Sequence, residues 1–141
     1  MTQVAGADAD LDALMSRELD AFNIAASGHD DQREITVRID DEQGLVGGLS
    51  GWTWGTCAGI AMLWVREDAR RSGVGGQLLA TVEQVARDRG CHQLVVSSFT
   101  FQAPSFYERH GYVETSRTEG IPVQGQADVH LAKLLQPLVG T

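Results

Sequence analysis

A short polar stretch combines arginine and glycine residues in a pattern that could bind a phosphate. Arg70 and Arg71 precede Gly73, Gly75 and Gly76, and the stretch joins an apolar run to a helical pattern that begins near residue 74. Glycine has no Cβ, so its backbone can approach a ligand closely, and the free amides at a helix start favour an anion. Two guanidinium groups add positive charge beside those amides. This combination of residues could bind a phosphate or pyrophosphate.

The spacing of these glycines excludes two common nucleotide-binding loops. A P-loop requires Gly-Lys-Ser/Thr after its spacer, and no lysine follows here. A dinucleotide-binding loop requires Gly-x-Gly-x-x-Gly directly after a strand, whereas here the third glycine is adjacent to the second. The residues fit Arg/Gln-x-x-Gly-x-Gly/Ala instead, with Arg70 in the first position. This hexapeptide resembles the acetyl-CoA-binding motif of the GNAT N-acetyltransferases. The alternative is a loop and helix cap with solvated arginines.

A second motif lies further along the chain, at residues 103–112. Its sequence, Ala-Pro-Ser-Phe-Tyr-Glu-Arg-His-Gly-Tyr, resembles the Ala-x-x-Phe-Tyr-x-x-x-Gly-Phe/Tyr signature at the end of GNAT domains. The two motifs stand in the family's order, with a predicted helix and strand between them. Their joint match is more specific than either motif alone, and the resemblance covers roughly residues 45–134. The segment 101–107 also resembles small, single-domain bacterial members of the family.

This resemblance implies that the chain binds acetyl-CoA and uses particular residues to do so. Leu63 and Val65, at the end of a splayed strand, would offer backbone groups to the pantetheine arm. Thr100 stands where many relatives carry an asparagine that contacts the cofactor, and its hydroxyl would partly replace that amide. The residues that the resemblance assigns to the CoA pyrophosphate are Arg70, Arg71, Gly73, Val74, Gly75 and Gly76.

Tyr107 stands where the family places the residue that protonates the departing thiolate. A tyrosine pKa of about 10 lies near enough to a thiol pKa of about 8.5 for proton transfer in either direction. The resemblance therefore implies direct transfer, in which an amine attacks the thioester carbonyl, a strand amide near Val65 polarises its oxygen, and Tyr107 protonates sulfur. The alternative for Tyr107 is a core aromatic residue whose hydroxyl is satisfied.

The group that removes the proton from the amine is left open. No acidic residue lies in the predicted strand at residues 58–65. Glu67 sits in the cofactor loop, where a solvated side chain is favoured. Asp128 and His130 share a face of the last predicted strand, where they could relay a proton, although a surface pair is favoured. Water is the further alternative.

Composition restricts the class of partner. The chain has 141 residues, a net charge of −8 and 43% hydrophobic residues, which predicts one globular domain over residues 1–141 with a disordered segment at 1–7. The negative net charge opposes nucleic-acid binding and favours a cationic small molecule or a basic peptide.

No membrane span or signal peptide is recognisable, so a cytoplasmic protein is expected. Cys57 and Cys91 are expected to be reduced, buried and inert, and no metal is expected because the histidines and cysteines lack ligand spacing.

Hydrophobic periodicity predicts the elements that would position these residues. Helical spacing predicts a helix from Asp8 or Asp10 to Gly28, and another from Val74 to Gly90 with Glu83 on its outward face. A short helix is predicted within residues 101–112. The predicted strands cover residues 34–40, 45–54, 58–65, 92–98 and 128–134, with another beginning at 112–114, and the third and fourth are predicted to be buried.

Strand, helix and strand in succession imply a parallel pair with a right-handed crossover. Together with the resemblance, this predicts an α/β (α+β) protein with the GNAT fold. Its central, mixed, twisted sheet would have about six strands flanked by helices, with a splayed strand pair at the acetyl-CoA site. The final strand, if exposed, would allow pairing with another copy and so a homodimer.

The acceptor is not identified by the sequence. Asn23, near the end of the first helix, is a weak candidate for acceptor binding, although such a residue more often faces water. Trp52 and Trp54 share one face of a strand and either line an acceptor pocket or pack in the core; packing is favoured for one and the other is left open. Three functions remain: a small-molecule N-acetyltransferase, which the acidic balance favours, a protein or peptide N-acetyltransferase, and a CoA-binding module without catalysis.

Overall fold

The structure is a computed structural model that describes residues 1–136 and divides into two compact units, Met1–Asp30 and the residues from Asp31 onward. The first unit contains helix α1 (Ala9–Ser27). The Asp8 side chain caps its first turn by accepting a hydrogen bond from the Leu11 amide at 3.0 Å, and Gly28 ends it with φ 76°. The predicted helix is thereby confirmed, although none of its residues is buried.

The prediction of one domain over residues 1–141 stays a prediction, and residues 137–141 lie outside the described part of the chain. Residues 1–7 form neither helix nor strand, and their predicted disorder is a prediction still.

The second unit contains a mixed sheet, as predicted. Its strands are β1 (Arg33–Asp41), β2 (Gly44–Trp54), β3 (Cys57–Val65), β4 (Gln93–Phe99), β5 (Val113–Glu119) and β6 (Ala127–Leu134). They are ordered β1-β2-β3-β4-β6-β5, with β3 and β4 parallel and every other neighbouring pair antiparallel. The final strand is therefore not an exposed edge, which corrects the expectation on which a homodimer was based. It lies between β4 and β5 because the hairpin of β5 and β6 folds back toward β4.

The parallel pair separates part-way along its length. Residues 57–59 of β3 pair with residues 93–95 of β4, and no pairing between the two strands follows in the described residues. Beyond this point β3 remains paired with β2 as far as Val65, and β4 remains paired with β6 as far as Phe99. Each strand thus follows its other neighbour, and a gap opens between them. This gap is the predicted splayed pair.

One face of the sheet carries the core of this unit. Helix α2 (Val74–Asp88) lays Leu78, Leu79 and Val82 on that face, and the short helix α3 (Pro104–Arg109) adds Tyr107 to the same core. The prediction of a buried strand at residues 58–65 is wrong for its second half, where the Met62 side chain is 69% exposed. Alternate residues of a strand point to opposite faces, and α2 packs on only one of them.

Glu83 corrects the predicted outward face of α2, because the residue is only 6% exposed. Its Oε2 accepts a hydrogen bond from the Tyr112 phenol at 2.9 Å, and its Oε1 accepts one from Lys133 Nζ at 2.8 Å. Arg87 lies one turn further along α2, with a guanidinium nitrogen 3.8 Å from the same Oε1. A buried charge is tolerated when it is paired in this way.

Candidate active site

A cavity of about 770 Å³ opens where β3 and β4 separate. Its walls come from the second half of β3, the second half of β4, the loop before α2, the first turn of α2, and α3. Several residues that the sequence singled out meet there, although they are far apart in the chain. The predicted site residues that line the cavity are Leu63, Val65, Arg70, Arg71, Gly73, Gly75, Gly76 and Tyr107.

The start of α2 presents unsatisfied amides at one end of this cavity. Gly73 is the N-cap with φ 91°, and Arg71 before it also has a positive φ of 67°. The first hydrogen bond of the helix runs from the Gln77 amide to the Gly73 carbonyl at 3.0 Å. The amides of the intervening residues therefore precede the helical ladder, and no side chain caps them. Such a helix end attracts an anion through free N–H groups and the helix dipole.

Arg70 connects the loop to the end of β3. Its Nε donates a hydrogen bond to the Val65 carbonyl at 3.1 Å, while the rest of the side chain remains exposed. Arg66, which precedes it, is held instead by Asp41 at 2.7 Å and Asp68 at 2.6 Å. The positive charge available to a ligand at this loop is therefore that of Arg70 and its neighbour in the hexapeptide.

Two of the glycines also allow α2 and α3 to pack closely. A Cβ added to Gly75 would lie 2.9 Å from the Phe106 ring, and one added to Gly76 would lie 3.0 Å from the His110 ring. The sequence explained these glycines by close approach to a ligand. The structure adds helix packing as a second reason, because these glycines bring α3 against the first turn of α2.

Two predicted cofactor residues do not line the cavity. The Val74 side chain packs against β2, where a Cβ added to Gly47 would lie 2.9 Å from it. The Thr100 hydroxyl accepts a hydrogen bond from the Ala127 amide at 3.1 Å, and the Thr100 amide donates to the Ala127 carbonyl at 2.9 Å. Thr100 thus joins the end of β4 to the start of β6, and its predicted contact with the cofactor stays a prediction.

Tyr107 brings a phenol to the cavity wall from α3. The residue is only 7% exposed, and its ring packs edge-on against Phe106 at 5.1 Å and Tyr112 at 5.7 Å between centroids. Burial raises the pKa of Tyr107 above the ordinary tyrosine value assumed from the sequence. The phenol therefore holds its proton throughout the neutral range, as a proton donor must.

The two tryptophans predicted to bind the acceptor are not among the residues that line this cavity. Trp52 and Trp54 border a separate depression of about 480 Å³ on β1 and β2. The Trp52 ring packs over Gly59, where an added Cβ would lie 2.3 Å from it, although the residue is still 38% exposed. This arrangement agrees with packing for one of the two tryptophans. Asn23 lies on α1 in the first unit. The acceptor-binding role of all three residues stays a prediction.

Ser97 is a cavity residue that the sequence interpretation missed. It lies on β4 beyond the point where β3 diverges, and its Oγ is 2.9 Å from His130 Nδ1 on the neighbouring β6. The other ring nitrogen, Nε2, is 3.2 Å from Thr118 Oγ1 on β5. The alternating pattern of β6 indicated that His130 could take part in a proton relay. Its contact with a cavity residue could not be predicted from that pattern, because it depends on β6 lying beside β4.

The two cysteines lie outside the cavity lining. Both are free thiols, Cys91 buried and Cys57 only half-buried, and burial raises the pKa of each. Thiolates are the reactive form, so these side chains are poor nucleophiles at neutral pH. Residues 1–136 contain no cluster of three acidic, histidine or cysteine side chains placed to hold a metal. Within the same residues, no helix combines the length and apolarity that crossing a bilayer requires.

Comparison with known proteins places this geometry in a family. The model of the acetyltransferase (GNAT) family matches residues 7–112. The chain belongs to the GNAT family. It is therefore an N-acetyltransferase that uses acetyl-CoA, and the resemblance inferred from its two motifs is confirmed.

Individual relatives of this acetyltransferase agree with the family assignment. It is 33% identical to an acetyltransferase of Agrobacterium fabrum over 109 residues, which are 77% of this chain and 80% of the relative. It is 43% identical to blasticidin-S acetyltransferase of Streptomyces morookaense over 72 residues, which are 48% of this chain and 51% of the relative.

Solved structures share the whole fold. The crystal structure of an acetyltransferase from Bacillus cereus is 28% identical, with a TM-score of 0.79 over 95% of this chain and 98% of that one. An aminoglycoside 6′-N-acetyltransferase in complex with coenzyme A has a TM-score of 0.68 over 96% of this chain and 99% of that one. At 16% identity, the second likeness is one of fold alone.

Proposed function

We propose that this acetyltransferase moves the acetyl group of acetyl-CoA to a primary amine of a small molecule, by direct attack and with Tyr107 as the acid that protonates the CoA thiolate. One observation carries the proposal. Tyr107 and the glycines at the start of α2 line the same cavity at the splayed strands. If acetyl-CoA binds with its pyrophosphate at the start of α2, its thioester end would lie in the cavity that Tyr107 lines.

The two ends of the carrier would be held by different kinds of group. The pyrophosphate would bind the first amides of α2, assisted by Arg70 and Arg71. The pantetheine arm would follow the second half of β3, whose edge toward β4 has no strand partner among the described residues after Gly59. Backbone groups near Leu63 and Val65 are the candidates for hydrogen bonds to its amides, since unpaired strand edges seek such partners.

The proposed reaction needs one bond made, one bond broken and two proton transfers. The neutral amine attacks the thioester carbon while a strand amide near Val65 polarises the carbonyl oxygen. The C–N bond forms, the C–S bond breaks, and the sulfur receives the proton of the Tyr107 phenol. The new amide nitrogen releases its surplus proton, and one proton returns to the phenolate. The products are the N-acetylated amine and CoA with a free thiol.

A small acceptor is favoured over a peptide by one of the relatives. The relative named blasticidin-S acetyltransferase acts on a small molecule, according to its name. The cavity volume of about 770 Å³ suits a cofactor site and does not distinguish the two kinds of acceptor. The net charge of −8 favours cationic acceptors of either kind. A location in the cytoplasm, where acetyl-CoA is available, belongs to the same proposal.

The test is thiol release from acetyl-CoA with a panel of amines that includes spermidine, amino acids, blasticidin S and an aminoglycoside. We expect Tyr107→Phe to lower kcat by about 10²-fold or more, which is the usual contribution of general acid catalysis, with CoA affinity retained. Tyr112→Phe is the matched control, because it removes a phenol that contacts Glu83 instead. Equal rates for the wild type and Tyr107→Phe would remove Tyr107 from the mechanism. CoA binding without turnover of any amine or peptide would favour the non-catalytic module.

A further inference from the structure

We propose that Ser97 and His130 form the base that deprotonates the acceptor ammonium, so that the acceptors are alkyl amines that are charged at neutral pH. This proposal rests on the proposed function, because it assigns the proton transfer that precedes attack by the amine. Ser97 lines the cavity and its Oγ lies 2.9 Å from His130 Nδ1. The serine therefore connects the cavity to an imidazole on the next strand.

The imidazole of His130 is held on both sides. His130 is directly opposite Ser97 in the pairing of β4 and β6, and its Nε2 lies 3.2 Å from Thr118 Oγ1 on β5. Two hydroxyls from two neighbouring strands thus fix the ring plane. In the neutral tautomer with hydrogen on Nε2, the ring donates to Thr118, and Nδ1 accepts the hydrogen bond of the Ser97 hydroxyl. That tautomer is the one a base acting through Ser97 requires.

Few charged groups share the strands around this imidazole. Asp128 lies two residues before His130 on the same face of β6, and its Oδ1 is buried with no hydrogen-bond partner among residues 1–136. The residues paired with His130 are Ser97 on β4 and Ser116 on β5, and Thr118 on β5 contacts its Nε2. None of these three residues carries a charge.

Two hydroxyls would then take part in the proton transfers of the reaction. One ammonium proton moves to Ser97 Oγ as the Ser97 hydroxyl proton moves to His130 Nδ1, which leaves a neutral amine, an intact serine and an imidazolium. The amine attacks the acetyl carbon as the C–S bond breaks, and Tyr107 on α3 protonates the sulfur that leaves. The surplus proton on the new amide nitrogen then restores the Tyr107 phenol. The imidazolium later returns its proton to solvent. Each turnover thus releases one proton to solvent and places one on the CoA thiol, as the conversion of an ammonium to an amide demands.

The decisive measurement is the dependence of kcat/KM on pH for the wild type, Ser97→Ala and His130→Gln. The substrates are acetyl-CoA and one amine, chosen as the one that the wild type acetylates fastest among spermidine, blasticidin S and an aminoglycoside. An alkyl ammonium has a pKa of about 10.4, so about one molecule in 2,500 is neutral at pH 7. Without the base, the rate should follow this neutral fraction and rise about tenfold per pH unit toward pH 10. With the base, the profile should rise less steeply and level off below pH 10, because the base generates the neutral amine within the site.

We expect each variant to lose about 10²-fold in kcat/KM at pH 7 and to approach the wild type near pH 10. The double variant should lose no more than either single variant, because residues that act as one unit are not additive. Ser116→Ala is the matched control, since it removes a serine hydroxyl on β5 opposite His130. It should keep the wild-type profile.

Other outcomes would overturn the proposal. A merely structural role would lower the whole pH profile of the Ser97 and His130 variants by a constant factor, without changing its slope. Additive losses in the double variant would show that the two residues act separately. Absence of thiol release from the wild type with every panel amine would be a failure of the proposed function itself. Retained thiol release with unchanged profiles in both variants would reject this base alone.

Discussion

The Tyr112 phenol donates a hydrogen bond of 2.9 Å to the buried carboxylate of Glu83, and the Tyr112 ring packs edge-on against Tyr107. This contact ties the end of α3 to the middle of α2. Lys133 completes the arrangement from β6, with its ammonium 2.8 Å from the other carboxylate oxygen. Glu83, Tyr112 and Lys133 do not line the cavity, so this polar cluster joins α2, β6 and the segment after α3 without a contact to the proposed site.

Glu83→Ala should destabilise the fold by about 2–4 kcal/mol, because it leaves the phenol and the ammonium without their partner. Urea unfolding monitored by tryptophan fluorescence would measure this loss. Gln84→Ala is the matched control, since Gln84 is an exposed neighbour on the same helix that bonds Asp88. A loss below about 0.5 kcal/mol, the usual range of surface substitutions, would contradict a structural role for the cluster.

Stability should fall at alkaline pH, and Tyr112 should account for part of the fall. Burial, and then the Glu83 carboxylate, raise the pKa of Tyr112 above the ordinary value of 10.0. As pH rises past that value, the unfolded chain loses the phenol proton while the folded chain retains it, so the free energy of unfolding decreases. Urea midpoints between pH 8 and pH 10.5 should therefore fall less steeply in Tyr112→Phe than in the wild type. The thiols of Cys57 and Cys91 contribute equally in both proteins, and parallel curves would refute the assignment.

Gly73→Ala should weaken CoA binding by about tenfold. The N-cap φ of 91° is a conformation that side chains other than glycine rarely adopt, so the loop would shift to relieve about 1–2 kcal/mol of strain. Calorimetry with CoA would measure the affinity. Gly90→Ala is a matched control, because Gly90 also has a positive φ of 84° and open space around it, but lies at the other end of α2. Both variants should lose similar stability, and an equal loss of CoA affinity would contradict a ligand role for Gly73.

Arg70→Gln should weaken CoA binding by about tenfold and reduce its dependence on ionic strength, because one cation near the pyrophosphate is removed. Titration of CoA at low and high salt would test both effects. Arg117→Gln is the control, since Arg117 lies on β5 and pairs with Glu114 at 2.8 Å. Equal salt dependence in all three proteins would show that the Arg70 guanidinium does not contact the ligand.

The local features of the molecule were predictable because their causes are local. Helix α2 follows from the spacing of its apolar residues, and its start follows from the glycines that precede it. Both signals lie within a few turns of the chain. The motif containing Tyr107 likewise places its phenol on a short helix, because Pro104 suits the first helical turn and Gly111 suits a helix end. These inferences needed no knowledge of which strand lies beside which. The resemblance then supplied the expected cofactor.

The remaining features were decided by contacts between distant parts of the chain. Glu83 reads as an outward position on α2, yet it meets Tyr112, 29 residues away, and Lys133, 50 residues away. Ser97 and His130 are 33 residues apart, and they meet only because β6 inserts between β4 and β5. Strand order is set by how the sheet buries its shared core, and no single segment encodes it. The sequence alone therefore determined the elements and the position of the glycine loop proposed to bind phosphate, whereas tertiary packing decided which side chains meet across neighbouring strands and helices.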